Sequence, residues 1–151
     1  MDTKELRLGN CVMLSKDYQY VGVEIPTGTV CKVKAINLNS LYLECDVSNG
    51  TFYGDVPVSM IDYIPLTEGL LLKCGFNVEY YEFQIKEQRL LTMNDFWILY
   101  NSRTNFYGVM RSNEVFTQVE YLHQLQNIYL DLVGKELEIG YEYQINEMSL
   151  I

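Results

Sequence analysis

The feature that most restricts this chain is its punctuation. Over the first 65 residues, alternating apolar and polar runs are cut by clusters of Ser, Asn, Asp and Gly before any of them reaches helix length. Runs of that length and period read as strands. Residues 6–14 alternate up to the polar turn Ser15-Lys16-Asp17. Residues 29–36 place Val30, Lys32, Lys34 and Ile36 on one side and Cys31, Val33 and Ala35 on the other. Asn37-Leu38-Asn39-Ser40 turns the chain, and residues 41–45 return as the partner strand. The stretch 46–50 is turn-like by its Asp, Asn and Gly content. Residues 56–64 read as a last strand, which Pro57 confines to a sheet edge or a strand start. Four or five short strands with a small apolar face predict an SH3-like β-barrel lobe over residues 1–65.

From residue 66 the pattern changes. Pro65-Leu66-Thr67-Glu68 starts a short helix: Thr67 can cap the first-turn amides, Leu70-Leu71-Leu72 follows, and Gly75 suits the stop. Strand-like runs return from Asn77 to Asn113, separated by Asn94-Asp95 and by residues 101–105, as a meander of three or four strands. Between 119 and 133, Leu122, Leu125, Tyr129 and Leu132 recur at the spacing of one helical stripe, ended by Gly134-Lys135. Residues 136–143 alternate again as a final strand. The expected fold is therefore α+β: a small barrel lobe (1–65), then an antiparallel sheet with helix lobe (66–151), the longer helix covering the sheet.

Composition limits function. The net charge is −9, and residues 114–151 carry seven acids against one base, so six of the nine net charges fall there. Duplex nucleic acid is not an expected partner, because its binders neutralise phosphates with Lys and Arg. No apolar run has membrane-spanning or signal length, so a soluble, cytoplasmic protein is expected. The four cysteines, at 11, 31, 45 and 74, form no Cys-x-x-Cys pair and are expected as reduced, mostly buried thiols. With His123 the only histidine, no metal, cofactor or nucleophile–histidine arrangement is expected, and the carboxylates show no catalytic spacing. Thirteen tyrosines, with few charges on the strands, favour a homo-oligomer, since interfaces are rich in Tyr and poor in charge.

The run from Asn101 to Arg111 is the candidate ligand-binding segment. It has two arginines, polar turn side chains and two aromatics without an acid. Arg grips phosphate through paired N–H groups and aromatic faces stack on bases, so Arg103, Asn105, Tyr107 and Arg111 are the expected grip for a small anionic ligand. Tyr18 and Tyr20 can add stacking surface. His123, with Gln126 and Asn127 three and four residues on, forms a candidate polar interaction surface beside the apolar stripe.

Residues 6–12 (LRLGNCV), 64–68 (IPLTE) with 72–76 (LKCGF), and 121–129 (YLHQLQNIY) with 134–137 (GKEL) together resemble a family of small proteins of gut bacteria, their phages and mobile elements. That resemblance brings no activity or catalytic residue. It implies a phage or mobile-element setting, where accessory proteins counter host defences. The expected function is a non-enzymatic counter-defence protein that sequesters a nucleotide-type ligand. The alternatives are an acidic module that inhibits a host protein and an enzyme whose carboxylates meet only in the fold.

Overall fold

A computed structural model of the chain describes residues 1–20, 22–47, 50–79 and 87–140. It is an α+β protein of antiparallel sheets with two α-helices among the described residues. The chain divides into two compact units, Met1–Ile64 together with Gly140, and Pro65–Ile139. Among the described residues no helix is long and apolar enough to cross a membrane.

The first unit contains β1 (Cys11–Leu14), β2 (Tyr18–Tyr20), β3 (Val23–Ile25), β4 (Val30–Ile36), β5 (Ser40–Val47), β6 (Gly50–Pro57) and β7 (Ile61–Asp62). Five of these form one curled half-barrel sheet in the order β6-β5-β4-β1-β7, and β2 with β3 makes a separate hairpin. Its core gathers the inward rows of that sheet, among them Val12, Leu14, Val33, Leu41, Leu43 and Val56, with Ile25 from the hairpin. Asp17 closes the base of the hairpin by accepting from the Thr27 N–H (2.8 Å) and hydroxyl (2.9 Å). Those two bonds, the backbone one first, hold the Asp17 carboxyl below its ordinary value.

Three expectations for this unit are corrected. The run 56–64 is not one strand: β6 begins at Gly50, Pro57 ends it on the sheet edge, and a 3-10 turn, Val58–Met60, leads to β7. Gly54 hides the alternation of β6 in the sequence, yet it sits on the buried row with Phe52 and Val56. A Cβ there would lie 2.5 Å from the Phe52 ring, so glycine lets that ring fold over the strand. A register shift between Val33 and Ala35 also moves Ile36 opposite Leu41, away from the side where strict alternation puts it. Finally, Cys31 and Cys45 are not free thiols. They stand directly opposite in the β4–β5 register, with Cα atoms 4.4 Å apart, and form a disulfide, while Cys11 and Cys74 remain buried thiols. Pairing of strands creates that proximity, and a 14-residue spacing does not reveal it.

The second unit runs α1 (Glu68–Lys73), β8 (Asn77–Glu79), β9 (Gln88–Met93), β10 (Phe96–Asn101), β11 (Phe106–Arg111), β12 (Glu114–Val119) and α2 (Leu122–Val133). Local chemistry places α1 as expected. The Thr67 hydroxyl accepts from the Leu70 N–H (3.0 Å), and Gly75, at φ +104°, lets its own N–H reach the Leu72 carbonyl while that of Phe76 reaches Leu71. The five strands form a meander in the order β12-β11-β10-β9-β8. Leu91, Ile98 and Val109 lie side by side on its buried face. On the same face Phe96 meets Phe76 and Tyr129 edge-on, at centroid distances of 6.1 and 5.1 Å, so the end of α1 and the middle of α2 close over the sheet.

Here too the structure differs in part. Residues 114–119 are a fifth strand, turned by Ser112-Asn113, and α2 begins at Leu122 rather than at 119. Leu132 is 47% exposed and leaves the stripe. Leu137 and Ile139 are buried and Glu136 and Glu138 exposed, so the expected alternation holds, but residues 136–140 join no ladder. Residues 141–143 of that expected strand lie outside the described residues.

Candidate functional site

In a meander, successive turns fall at opposite ends of the sheet. The two-residue turns Asn94-Asp95 and Ser112-Asn113 therefore share one end, and the longer turn after Asn101 occupies the other. All four residues of the short turns have positive φ, between 52° and 67°, the geometry of tight hairpins that follow strand twist. The Asn94 side-chain amide donates to the Tyr129 hydroxyl (3.1 Å), which ties the first turn to α2.

This separation decides the fate of the expected grip. Arg103 sits in the long turn, where the Asn101 side-chain oxygen accepts from its N–H (3.0 Å) and from that of Thr104 (3.3 Å). Asn105 completes the same turn at φ 53°. Arg111 lies at the far end of β11, about 20 Å away for a six-residue strand. Tyr107, between them, is 2% exposed and stacks on Tyr100 at 4.6 Å on the helix-covered face. Burial first, then Tyr100, raises its phenol well above the ordinary tyrosine range. Tyr107 is thus core and not a stacking platform, and Arg103, Tyr107 and Arg111 are not brought together.

The remaining candidates are placed as follows. Tyr18 is half-buried in the first unit, edge-on to Phe52 at 6.2 Å, and its hydroxyl donates to the Asp55 carbonyl (3.1 Å). Tyr20 is on β2 opposite Val23. The polar surface expected on α2 is largely interior: His123 is 0% and Gln126 6% exposed, with Asn127 half-buried. His123 stacks against Tyr121 at 5.9 Å, and the Gln126 amide donates to the Leu137 carbonyl (3.2 Å). The segment after α2 packs beside the helix, so the buried arc is wider than the apolar stripe.

What the fold does assemble lies at the short-turn end. Trp97 and Met110 are directly opposite in the β10–β11 ladder, on the face away from Ile98 and Val109. They are shared by two recesses. One, of about 230 Å³, is lined by Leu90, Trp97, Met110, Ser112 and Asn113. The other, of about 590 Å³, includes Asn94, Asp95, Trp97, Met110 and Arg111 and reaches Leu132 and Val133 at the end of α2. Glu114 is opposite Arg111 in the ladder, yet no ion pair joins them, and among the described residues no carboxylate engages the guanidinium of Arg103 or Arg111. The arginine of this unit that does pair is Arg89, at 2.7 Å from Glu68.

Of the expected ligand residues, then, only Arg111 lines this site, and Trp97, Met110 and the two short turns went unrecognised. A signal existed: in any meander alternate turns share an end, so a fifth strand after Ser112-Asn113 would have grouped them. No protein-family model, curated protein or solved structure matches the chain.

Proposed function

We propose that the protein is a non-enzymatic binder that holds a small nucleotide-type ligand at the Trp97 end of the meander. One observation carries this proposal. Arg111, unengaged by any described carboxylate in a chain of net charge −9, shares a recess with the only tryptophan. A guanidinium that no described carboxylate engages can grip phosphate, and indole is a side chain of the type on which bases stack. The burial of His123 supports binding over turnover, since it withdraws the side chain best suited to proton transfer near neutral pH. In the phage or mobile-element setting that the resemblance implies, holding a nucleotide signal out of solution is a counter-defence role. For the first unit, the strand order, the hairpin after β1 and the 3-10 turn before β7 support an SH3-like barrel.

Because Trp97 is the only tryptophan, its emission reports occupancy directly. Titration with AMP, GMP, CMP and UMP is expected to give saturable quenching by at least one. Arg111→Ala then weakens that ligand about tenfold or more, the loss of a charge-assisted contact of about 1.5–3 kcal/mol. Intact nucleotide recovered after denaturation separates binding from turnover. No quenching by any of the four, or an unchanged affinity in Arg111→Ala, refutes the proposal.

A further inference from the structure

We infer that two copies of this chain associate through the face of the meander opposite α2. The ladders fix which side chains stand there: Leu90, Leu99 and Gly108 form the middle row, with Phe106 on one side of it and Met110 and Val115 on the other. A Cβ on Gly108 would lie 2.8 Å from the Phe106 ring and 3.0 Å from Val115 Cγ1, so those two side chains lie over the glycine and level the middle of the face. Val115 is 43% exposed, and Leu90, Leu99, Phe106 and Met110 are half-buried, so solvent reaches this surface. Among the residues of β9 to β12, none on this face is charged, and Glu79 stands at its rim, on β8 opposite Leu90.

Charge selects the occupant. Two copies that each carry −9 repel wherever acids meet, so a surface without charge is where the chain can meet itself, while a basic partner gains nothing from it. A level apolar face is also complementary to its own copy about a two-fold axis, as in sheet-on-sheet packing. The contact uses the face and not the sheet edge, because Phe116 is an extra residue in the β12 ladder and such a bulge interrupts the row of backbone groups that edge pairing needs. Four strands about 4.8 Å apart and six residues of about 3.3 Å make a patch about 20 Å square. That is about 400 Å² in projection, against about 800 Å² per partner in a standard interface, so the dimer is a weak one with a Kd in the micromolar range. The inference stands apart from the nucleotide site and does not need a ligand.

The test is sedimentation velocity of the full chain. From about 1 to 300 μM the wild type is expected to show a reversible monomer–dimer equilibrium. Raising NaCl from about 0.05 to 0.5 M tightens it several-fold by screening acid from acid. Val115→Glu, and Gln118→Glu at the exposed position opposite Gly108, each weaken the dimer about tenfold or more while circular dichroism is unchanged, because the two-fold axis brings a new acid from each copy into the contact. Leu38→Glu adds the same charge at a 92% exposed position of the first unit and leaves the dimer within about twofold. A monomer throughout the range, a dimer that loosens with salt, or one that survives both Val115→Glu and Gln118→Glu overturns the inference. Equal weakening by Leu38→Glu overturns it too, since net charge and not this face is then responsible.

Discussion

Replacing Tyr129 with Phe isolates the hydrogen bond by which Asn94, at the rim of the recess, is tied to α2. Tyr129 is 2% exposed, and its ring meets Phe96 edge-on at 5.1 Å. Phe keeps that ring and its buried area, so the packing contribution, about 3–5 kcal/mol for an aromatic cut to Ala, is retained. Only the hydroxyl that accepts from Asn94 Nδ2 at 3.1 Å is lost. Asn94 is exposed, so its freed amide turns to water, and the expected cost is the net value of a hydrogen bond, about 0.5–1.5 kcal/mol. Asn94→Gly removes the other partner without strain, because glycine accepts the φ of 53° at that position. Urea unfolding at 25 °C of the wild type, both single variants and the double variant gives the coupling between them, expected near 1 kcal/mol. The Asn94-Asp95 turn also lines the larger recess, so nucleotide affinity falls a few-fold in Tyr129→Phe. A coupling below about 0.3 kcal/mol refutes the claim that this bond anchors the turn.

Two further outcomes follow from the first unit. Thiol titration in denaturant without reductant should find two reactive cysteines, Cys11 and Cys74, rising to four after reduction; four at the outset removes the Cys31–Cys45 disulfide. The second concerns Asp17, whose carboxyl is held below its ordinary value by the Thr27 bonds, so its stabilising effect is present above the unfolded value and is lost as pH falls through the folded one. The urea midpoint of Asp17→Asn should therefore lie below that of the wild type at pH 6 and converge with it toward pH 3. A difference that persists at low pH means the charged form is not what matters.

Much of the local architecture was legible because the forces that set it act within a few residues. The Thr67 cap and the Gly75 and Gly134 stops satisfy backbone groups of their own turns, and they ended α1 and α2 where the residue types said. Asn94-Asp95 was readable for the same reason. Ser112-Asn113 has the same backbone geometry, but the sequence pattern assigns residues 114–118 after it to no element, so β12 is not legible there. Gly54 erased the alternation of β6 because a neighbouring ring, not its own side chain, fills its place.

The sequence by itself determined the α+β class, the acid excess and the short elements, since period, caps and turn residues are local properties. Tertiary structure alone decided which residues meet. Antiparallel pairing put Cys31 across from Cys45, and meander topology sent Arg103 and Arg111 to opposite ends of one strand. The same topology carried Asn94-Asp95 and Ser112-Asn113 to one end, around Trp97. The segment after α2 covers Gln126, and His123 is interior as well, although the helical stripe alone left both at the surface. Proximity across a sheet depends on register and on the parity of turns, and neither is written in the spacing of residues along the chain.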